Sequence, residues 1–167
     1  MRIGILTVSD RSARGERPDL AGPAIEKLIV EQGWSVVRLE IMPDEMLILR
    51  EVLANWADSG NMDIILTTGG TGFSPRDITP EATKAVIERD APGLVEAMRT
   101  ASLKVTAHGM LSRATAGIRG RALIVNLPGS PRAAIENLNV ILPVLKHAVE
   151  LLSEDPDAEA GHSSADT

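Results

Sequence analysis

The sequence predicts an α/β fold, a single domain whose mostly parallel sheet carries helices on both faces. Three observations lead there. Four short apolar, β-branched runs recur along the chain, and the segments between them space their apolar residues at the helical period. The length of 167 residues suffices for one full core and falls short of two.

The first run, Arg2-Ile3-Gly4-Ile5-Leu6-Thr7-Val8, reads as a buried strand that leaves through Ser9-Asp10 into a long charged loop with Gly15 and Pro18. From Asp19 the pattern turns helical: Ile25, Leu28 and Ile29 share one face, and Gly33 ends the run. A second strand spans 35–41 and stops at Met42-Pro43-Asp44. Leu49, Val52, Leu53 and Trp56 then fall at i, i+3, i+4 and i+7, an amphipathic helix with Asp44 as its N-cap and Gly60 at its end. The third strand spans 63–67. After it, Thr79 and Pro80 read as N-cap and first position of a helix to about Arg89. Pro92-Gly93 interrupts, and another helix runs from Leu94 to about Lys104. Weak periodicity makes 106–119 extended or irregular. The fourth strand, 121–127, ends in Pro128-Gly129-Ser130-Pro131. In the last helix Ile135, Leu138, Leu142, Leu145, Val149 and Leu152 recur at steps of three and four, with a bend expected at Pro143.

Composition narrows the partners. With 17 basic against 23 acidic residues, and only two Trp, one Phe and no Tyr, the chain lacks both the basic surface and the stacking side chains that nucleic acids require. A small molecule is the expected partner. The absence of cysteine excludes disulfides, thiolate metal sites and thiol catalysis. His108, His147 and His162 show no ligand spacing, so a zinc site is not expected. No signal-peptide pattern and no membrane-length apolar segment are present, which makes the cytoplasm the expected location and leaves no membrane partner.

The stretch 67–80 is what a packed core does not explain. It crowds Gly69, Gly70 and Gly72 into four positions after a strand, and successive main-chain N–H groups in such a turn attract anions. The spacing is neither G-x-G-x-x-G nor Walker A. Asp77 in the same loop suits phosphate only with a divalent cation between them. In a parallel sheet, ligands bind beyond the carboxyl ends of the strands. Ser9-Asp10, Pro43-Asp44, Gly69 to Asp77, and Pro128-Gly129-Ser130 should therefore meet along one edge. Asp44 and Asp77 there fit a magnesium-nucleotide site, the alternatives being a helix cap for Asp44 and a turn-former for Asp77. Ser112, Arg113, Arg119 and Lys84 are further candidate donors. Phosphoryl or nucleotidyl transfer suits these parts, because positioning and electrostatics carry such reactions.

Thr67-Thr68-Gly69-Gly70-Thr71-Gly72, Arg76-Asp77-Ile78-Thr79-Pro80-Glu81-Ala82-Thr83, Leu111-Ser112-Arg113, Gly117-Ile118-Arg119-Gly120 and Asn126-Leu127-Pro128-Gly129-Ser130 together resemble the molybdopterin adenylyltransferases. These MogA-type enzymes belong with MoaB-type proteins and the gephyrin G domain. The resemblance runs from Ile3 to about Leu152, and the first loop, with Ser9, Asp10, Asp19 and Gly22, also matches. It implies a MogA/MoaB-like homotrimer of molybdenum cofactor biosynthesis, in which the phosphate of molybdopterin attacks the α-phosphate of ATP to give adenylyl-molybdopterin and pyrophosphate. It further implies that Asp44 and Asp77 are the catalytic, Mg2+-supporting aspartates. Gly69, Gly70, Thr71, Gly72, Pro128, Gly129 and Ser130 would hold the nucleotide, and Ser112, Arg113 and Thr68 the pterin. The adenylyltransferase domain is expected over 1–152, followed by an acidic tail over 153–167 expected to be disordered, and a MoeA-type insertase is an expected partner. Two other readings stay open: a MoaB-like or non-catalytic pterin-binding scaffold, and a nucleotide-binding regulator indifferent to pterin.

Overall fold

The computed structural model describes residues 1–154 of the protein. Its strands are β1 (Arg2–Val8), β2 (Ser35–Met42), β3 (Ile64–Thr68), β4 (Arg89–Asp90), β5 (Ala116–Arg119) and β6 (Ala122–Leu127). The helices are α1 (Asp10–Ala13), α2 (Ala21–Glu31), α3 (Met46–Asp58), α4 (Thr79–Lys84), α5 (Pro92–Val105) and α6 (Pro131–Leu152), with a 3-10 turn at Ala107–Leu111. One sheet orders the strands β2-β1-β3-β6-β5-β4. The first four are mutually parallel, and β5 and β4 continue the sheet antiparallel.

Alternation along the strands divides the core between the two faces. Ile3, Ile5, Ile64, Leu66, Leu123 and Val125 point to one side, where Ile25 and Ile29 of α2, Met98 of α5 and Leu138, Ile141 and Leu145 of α6 cover them. Leu6, Ile65 and Ile124 point to the other, packed on Leu49, Leu53 and Trp56 of α3 and Ala82 of α4. Side chains on both faces are excluded from water, as a parallel sheet between helices requires. This fixes the direction of the parallel strands, and every parallel strand delivers its carboxyl end to the same edge of the sheet.

Several local expectations change. Among the described residues six strands replace four: the expected fourth strand is β6, while β5 and the two-residue β4 lie in stretches expected to be irregular or helical. The helix after Pro80 ends at Lys84 because the following backbone pairs with β5, Glu88 donating to Ile118 O at 2.8 Å and Ala91 to Ala116 O at 2.9 Å. Pro92 begins α5 at its first position, where a missing N–H costs nothing. Thr79 is not the cap of α4; Ile78 is, and Thr79 sits inside the first turn, fully buried. The loop after β1 contains the short α1, held by Ser9 Oγ accepting from the Ser12 N–H at 3.2 Å. Helix α6 continues through Pro143 to Leu152. Among the described residues, no helix is long and apolar enough to cross a membrane. From residue 155 the expected acidic tail lies outside the described residues.

Candidate functional site

At the carboxyl ends of β1, β2, β3 and β6 the chain encloses a cleft of about 750 Å3. All four strand exits contribute to it: Ser9 and Asp10, Asp44, the loop residues Gly69, Gly70, Ser74, Arg76 and Asp77, and Gly129 with Ser130. The glycine loop lies flat across the sheet end. Gly69, at φ +101°, passes so close to β1 that a β-carbon would stand 2.2 Å from Val8 O, and its N–H donates to Leu127 O at 3.3 Å. At Gly70, φ +62°, a β-carbon would stand 2.4 Å from Thr79 Oγ1 and 2.8 Å from Asp44 Oδ1. Only glycine satisfies both the backbone angle and the crowding at these two positions. The loop after β6 abuts the same turn, and Thr68 Oγ1 donates to Pro128 O at 2.7 Å to tie the two exits together.

Asp44 is nine-tenths buried and is not the cap of α3, whose N-cap is Glu45. Its side chain turns instead to the neighbouring strand exit. Asp44 Oδ2 accepts from the Asp10 N–H at 3.0 Å, and the Asp44 N–H donates to Asp10 Oδ1 at 3.1 Å. Arg76 closes the arrangement from the third loop, donating to both Asp10 oxygens at 3.0 Å and to Glu45 at 2.8 Å. Those guanidinium hydrogen bonds hold the Asp10 carboxyl below its usual range. Burial pushes Asp44 the other way, above its usual range; the Asp10 N–H opposes this, and the carboxylates of Asp10 and Asp77 reinforce it. Asp77 Oδ2 accepts from the Ser74 N–H at 3.0 Å and lies against Gly72. Two carboxylates thus face a glycine-lined floor. The fully buried Thr79 hydroxyl beside Asp44 has no hydrogen-bond partner among the described residues. This donor set fits a hard divalent cation that completes its shell with phosphate oxygens and water.

The remaining candidates divide. Thr68, Gly69, Gly70, Gly129 and Ser130 line the cleft, as do both aspartates. Thr71, Gly72, Pro128 and Ser112 line a second, mostly apolar cavity of about 350 Å3 between the glycine loop, α5 and α6. Arg113 faces neither: its Nε donates to Gly72 O at 2.7 Å, and the rest of its guanidinium bonds Asp77 O and Glu81. It clamps the loop that carries Asp77. Lys84 and Arg119 lie outside the cleft, beside Asp90 and Asp58 respectively, because Lys84 stands at the end of α4 and β5 runs antiparallel to β6.

One supporting residue carries no chemical signature in the sequence. Asn126, fully buried near the end of β6, donates to Thr67 Oγ1 at 2.9 Å and Thr83 Oγ1 at 2.8 Å and accepts from the Thr115 N–H at 3.1 Å. It joins the strand entering the glycine loop, the helix leaving it and the segment after Ser112. Besides its place in the Asn126-Leu127-Pro128-Gly129-Ser130 segment, its sign in the sequence is a polar residue that interrupts the apolar run 122–127.

Similarity to known proteins runs over nearly the whole chain. A family model described as a probable molybdopterin binding domain matches residues 4–147. The molybdopterin adenylyltransferase of Helicobacter pylori strain J99 is 41% identical over 154 residues, which cover 91% of this chain and 88% of that protein. Gephyrin of Dictyostelium discoideum is 41% identical over 171 residues; the match takes in 96% of this chain and spans only 24% of gephyrin. The crystal structure of the molybdopterin biosynthesis enzyme MoaB from Thermus thermophilus superposes with a TM-score of 0.87 at 50% identity, covering 93% of this chain and 98% of that one.

Proposed function

Since the chain belongs to the family of probable molybdopterin binding domains, we propose that it is a molybdopterin adenylyltransferase of molybdenum cofactor biosynthesis. The observation that carries this reading is the convergence of Asp44, Asp77 and the Gly69-Gly70 turn in one cleft, in a chain 41% identical to nearly the full length of an adenylyltransferase.

In this reading the substrates are molybdopterin and ATP. A phosphate oxygen of molybdopterin forms a bond to the α-phosphorus of ATP as the bond from that phosphorus to the bridging oxygen of the β-phosphate breaks. The electron pair leaves with pyrophosphate. The protein's part is to align the two phosphates and offset their charge. The turn of Gly69, Gly70, Thr71 and Gly72 would hold the nucleotide phosphates through the N–H groups beyond Gly69, whose own N–H serves Leu127 O, together with Pro128, Gly129 and Ser130. Asp44 and Asp77 would hold Mg2+, which when bound neutralises charge on the reacting phosphates. Thr68 on the cleft and Ser112 in the adjoining cavity would meet the pterin. Arg113 acts by keeping Asp77 in place.

A homotrimer belongs to the same proposal, with Leu103, Val105, Met110 and Leu111 the apolar surface open to assembly. So do a cytoplasmic location and a MoeA-type insertase as the consumer of the product. Light scattering of the purified protein tests the trimer. The enzyme itself is tested by incubating purified protein with molybdopterin, ATP and magnesium. Adenylyl-molybdopterin is expected to accumulate, and Asp77→Asn is expected to cut its formation at least a hundredfold. Undiminished product with Asp77→Asn removes the mechanism. The 50% identity to a MoaB structure supports a second reading, a pterin-binding scaffold of the same fold. Tight pterin binding without nucleotide consumption would establish that reading instead.

A further inference from the structure

Four guanidinium groups line the cleft, those of Arg11, Arg14, Arg17 and Arg76. Two of them are committed within the protein. Arg14 bonds both oxygens of Glu16 at 2.7 and 3.1 Å, and Arg76 bonds Asp10 and Glu45. Arg11 and Arg17 are exposed and make no side-chain hydrogen bond or ion pair among the described residues. Arg11 helps to hold the Glu16 carboxyl down, but both oxygens of Glu16 already serve Arg14.

The two uncommitted cations sit on one segment, the loop after β1, in a chain of net charge −6. The other charged groups around the cleft include Asp19, Asp44 and Asp77, all acidic. In the adenylyltransferase reading the glycine turn and the aspartate pair would serve the reacting α-phosphate. They leave the two outer phosphates of ATP, which carry most of its charge, without a protein cation. A guanidinium matches a phosphate with paired donors and is less strongly hydrated than an ammonium, so it suits this task.

Resting on the adenylyltransferase reading, we propose that Arg11 and Arg17 bind the β- and γ-phosphates of ATP and stabilise the departing pyrophosphate. They offset the negative charge that gathers on the bridging oxygen as its bond to the α-phosphorus breaks. The segment carrying them releases the product as well as receiving the substrate, so its affinity for pyrophosphate bears on turnover.

Calorimetric titration of the intact protein with inorganic pyrophosphate and, separately, with AMP in magnesium buffer tests this without needing pterin. In Arg11→Ala/Arg17→Ala the pyrophosphate Kd is expected to weaken at least tenfold while the AMP Kd stays within twofold, with Arg11→Lys/Arg17→Lys intermediate. Circular dichroism establishes that the variants are folded. Pyrophosphate binding within twofold of wild type, equal losses for both ligands, or no pyrophosphate binding by the wild type overturns the proposal. If the wild type binds pyrophosphate through these arginines yet forms no adenylyl-molybdopterin, the anion site stands and the adenylyltransferase reading falls.

Discussion

Replacing Gly70 by alanine tests whether the floor of the cleft is as tightly determined as its geometry implies. Gly70 has φ +62°, where an L-residue incurs about 1–2 kcal/mol of backbone strain. Gly60, at φ +68° with no atom near its missing side chain, should incur that cost alone. At Gly70 the new methyl also has to displace Thr79 Oγ1 and Asp44 Oδ1, which would stand 2.4 and 2.8 Å away. Neither oxygen ends a long, adaptable side chain. Thr79 is β-branched and fully buried, and Asp44 is bound to the Asp10 N–H. Overpacking of this kind adds about 1–3 kcal/mol. Gly70→Ala is therefore expected to lose roughly 2–5 kcal/mol, a large share of the 5–15 kcal/mol that is roughly typical of a domain. Urea denaturation of wild type, Gly60→Ala and Gly70→Ala measures the difference. Adding Thr79→Ala to Gly70→Ala should recover part of it, because one of the two displaced atoms is then gone. A Gly70→Ala loss within about 0.5 kcal/mol of the Gly60→Ala loss would show the two sites to be equivalent and refute the crowding argument.

Other outcomes follow from buried polar groups. Burial raises the Asp44 carboxyl above the ordinary aspartate range, so the folded protein binds a proton there more readily than the unfolded chain. Stability from this group is therefore lost as pH rises from near 3.8 through the raised pKa. Asp44→Asn escapes that loss: its urea midpoint should gain on the wild type as pH rises across this window and stay ahead at neutral pH, while adenylylation collapses. A variant less stable than wild type at neutral pH contradicts the burial argument. Asn126→Ala should destabilise by about 1–3 kcal/mol through the orphaned Thr115 N–H alone, with further loss from the two threonine hydroxyls. Denaturation midpoints read the effect, and a neutral result would mean that the three segments hold their places without it.

The parallel half of the fold was legible because β1, β3 and β6 are apolar on both faces and the long helices repeat their apolar residues every three or four positions. Ile64-Ile65-Leu66 and Leu123-Ile124-Val125 announce themselves in this way. Strand β4 did not, since Arg89-Asp90 is two exposed residues whose strand character comes entirely from pairing with β5. The meeting of Asp44, Asp77, Gly69 and Gly129 was legible from topology alone, because four parallel strands have only one carboxyl edge. The partners were not. The cap alternative for Asp44 falls to Glu45, and its partner, the Asp10 N–H 34 residues away, had no sign in the sequence. Arg113 looked like a phosphate donor until three partners in the Asp77 loop and α4 consumed its guanidinium. Arg119 was misplaced because β5 runs antiparallel to β6, which sets it opposite Ala122 at the start of that strand, and Lys84 stands at the end of α4 remote from its N-terminus.

Strand β6 is the last to be synthesised, yet it lies between β3 and β5 near the middle of the sheet. Until residues 122–127 leave the ribosome, the growing chain carries β3 with one bare row of backbone donors and acceptors and β5 with no neighbour on its inner side. Such an open edge invites pairing with other chains. A nascent chain stalled before Ala122 is thus at its most adhesive, and it also lacks Gly129 and Ser130 for the nucleotide site. Closure of the sheet and completion of that site are one event.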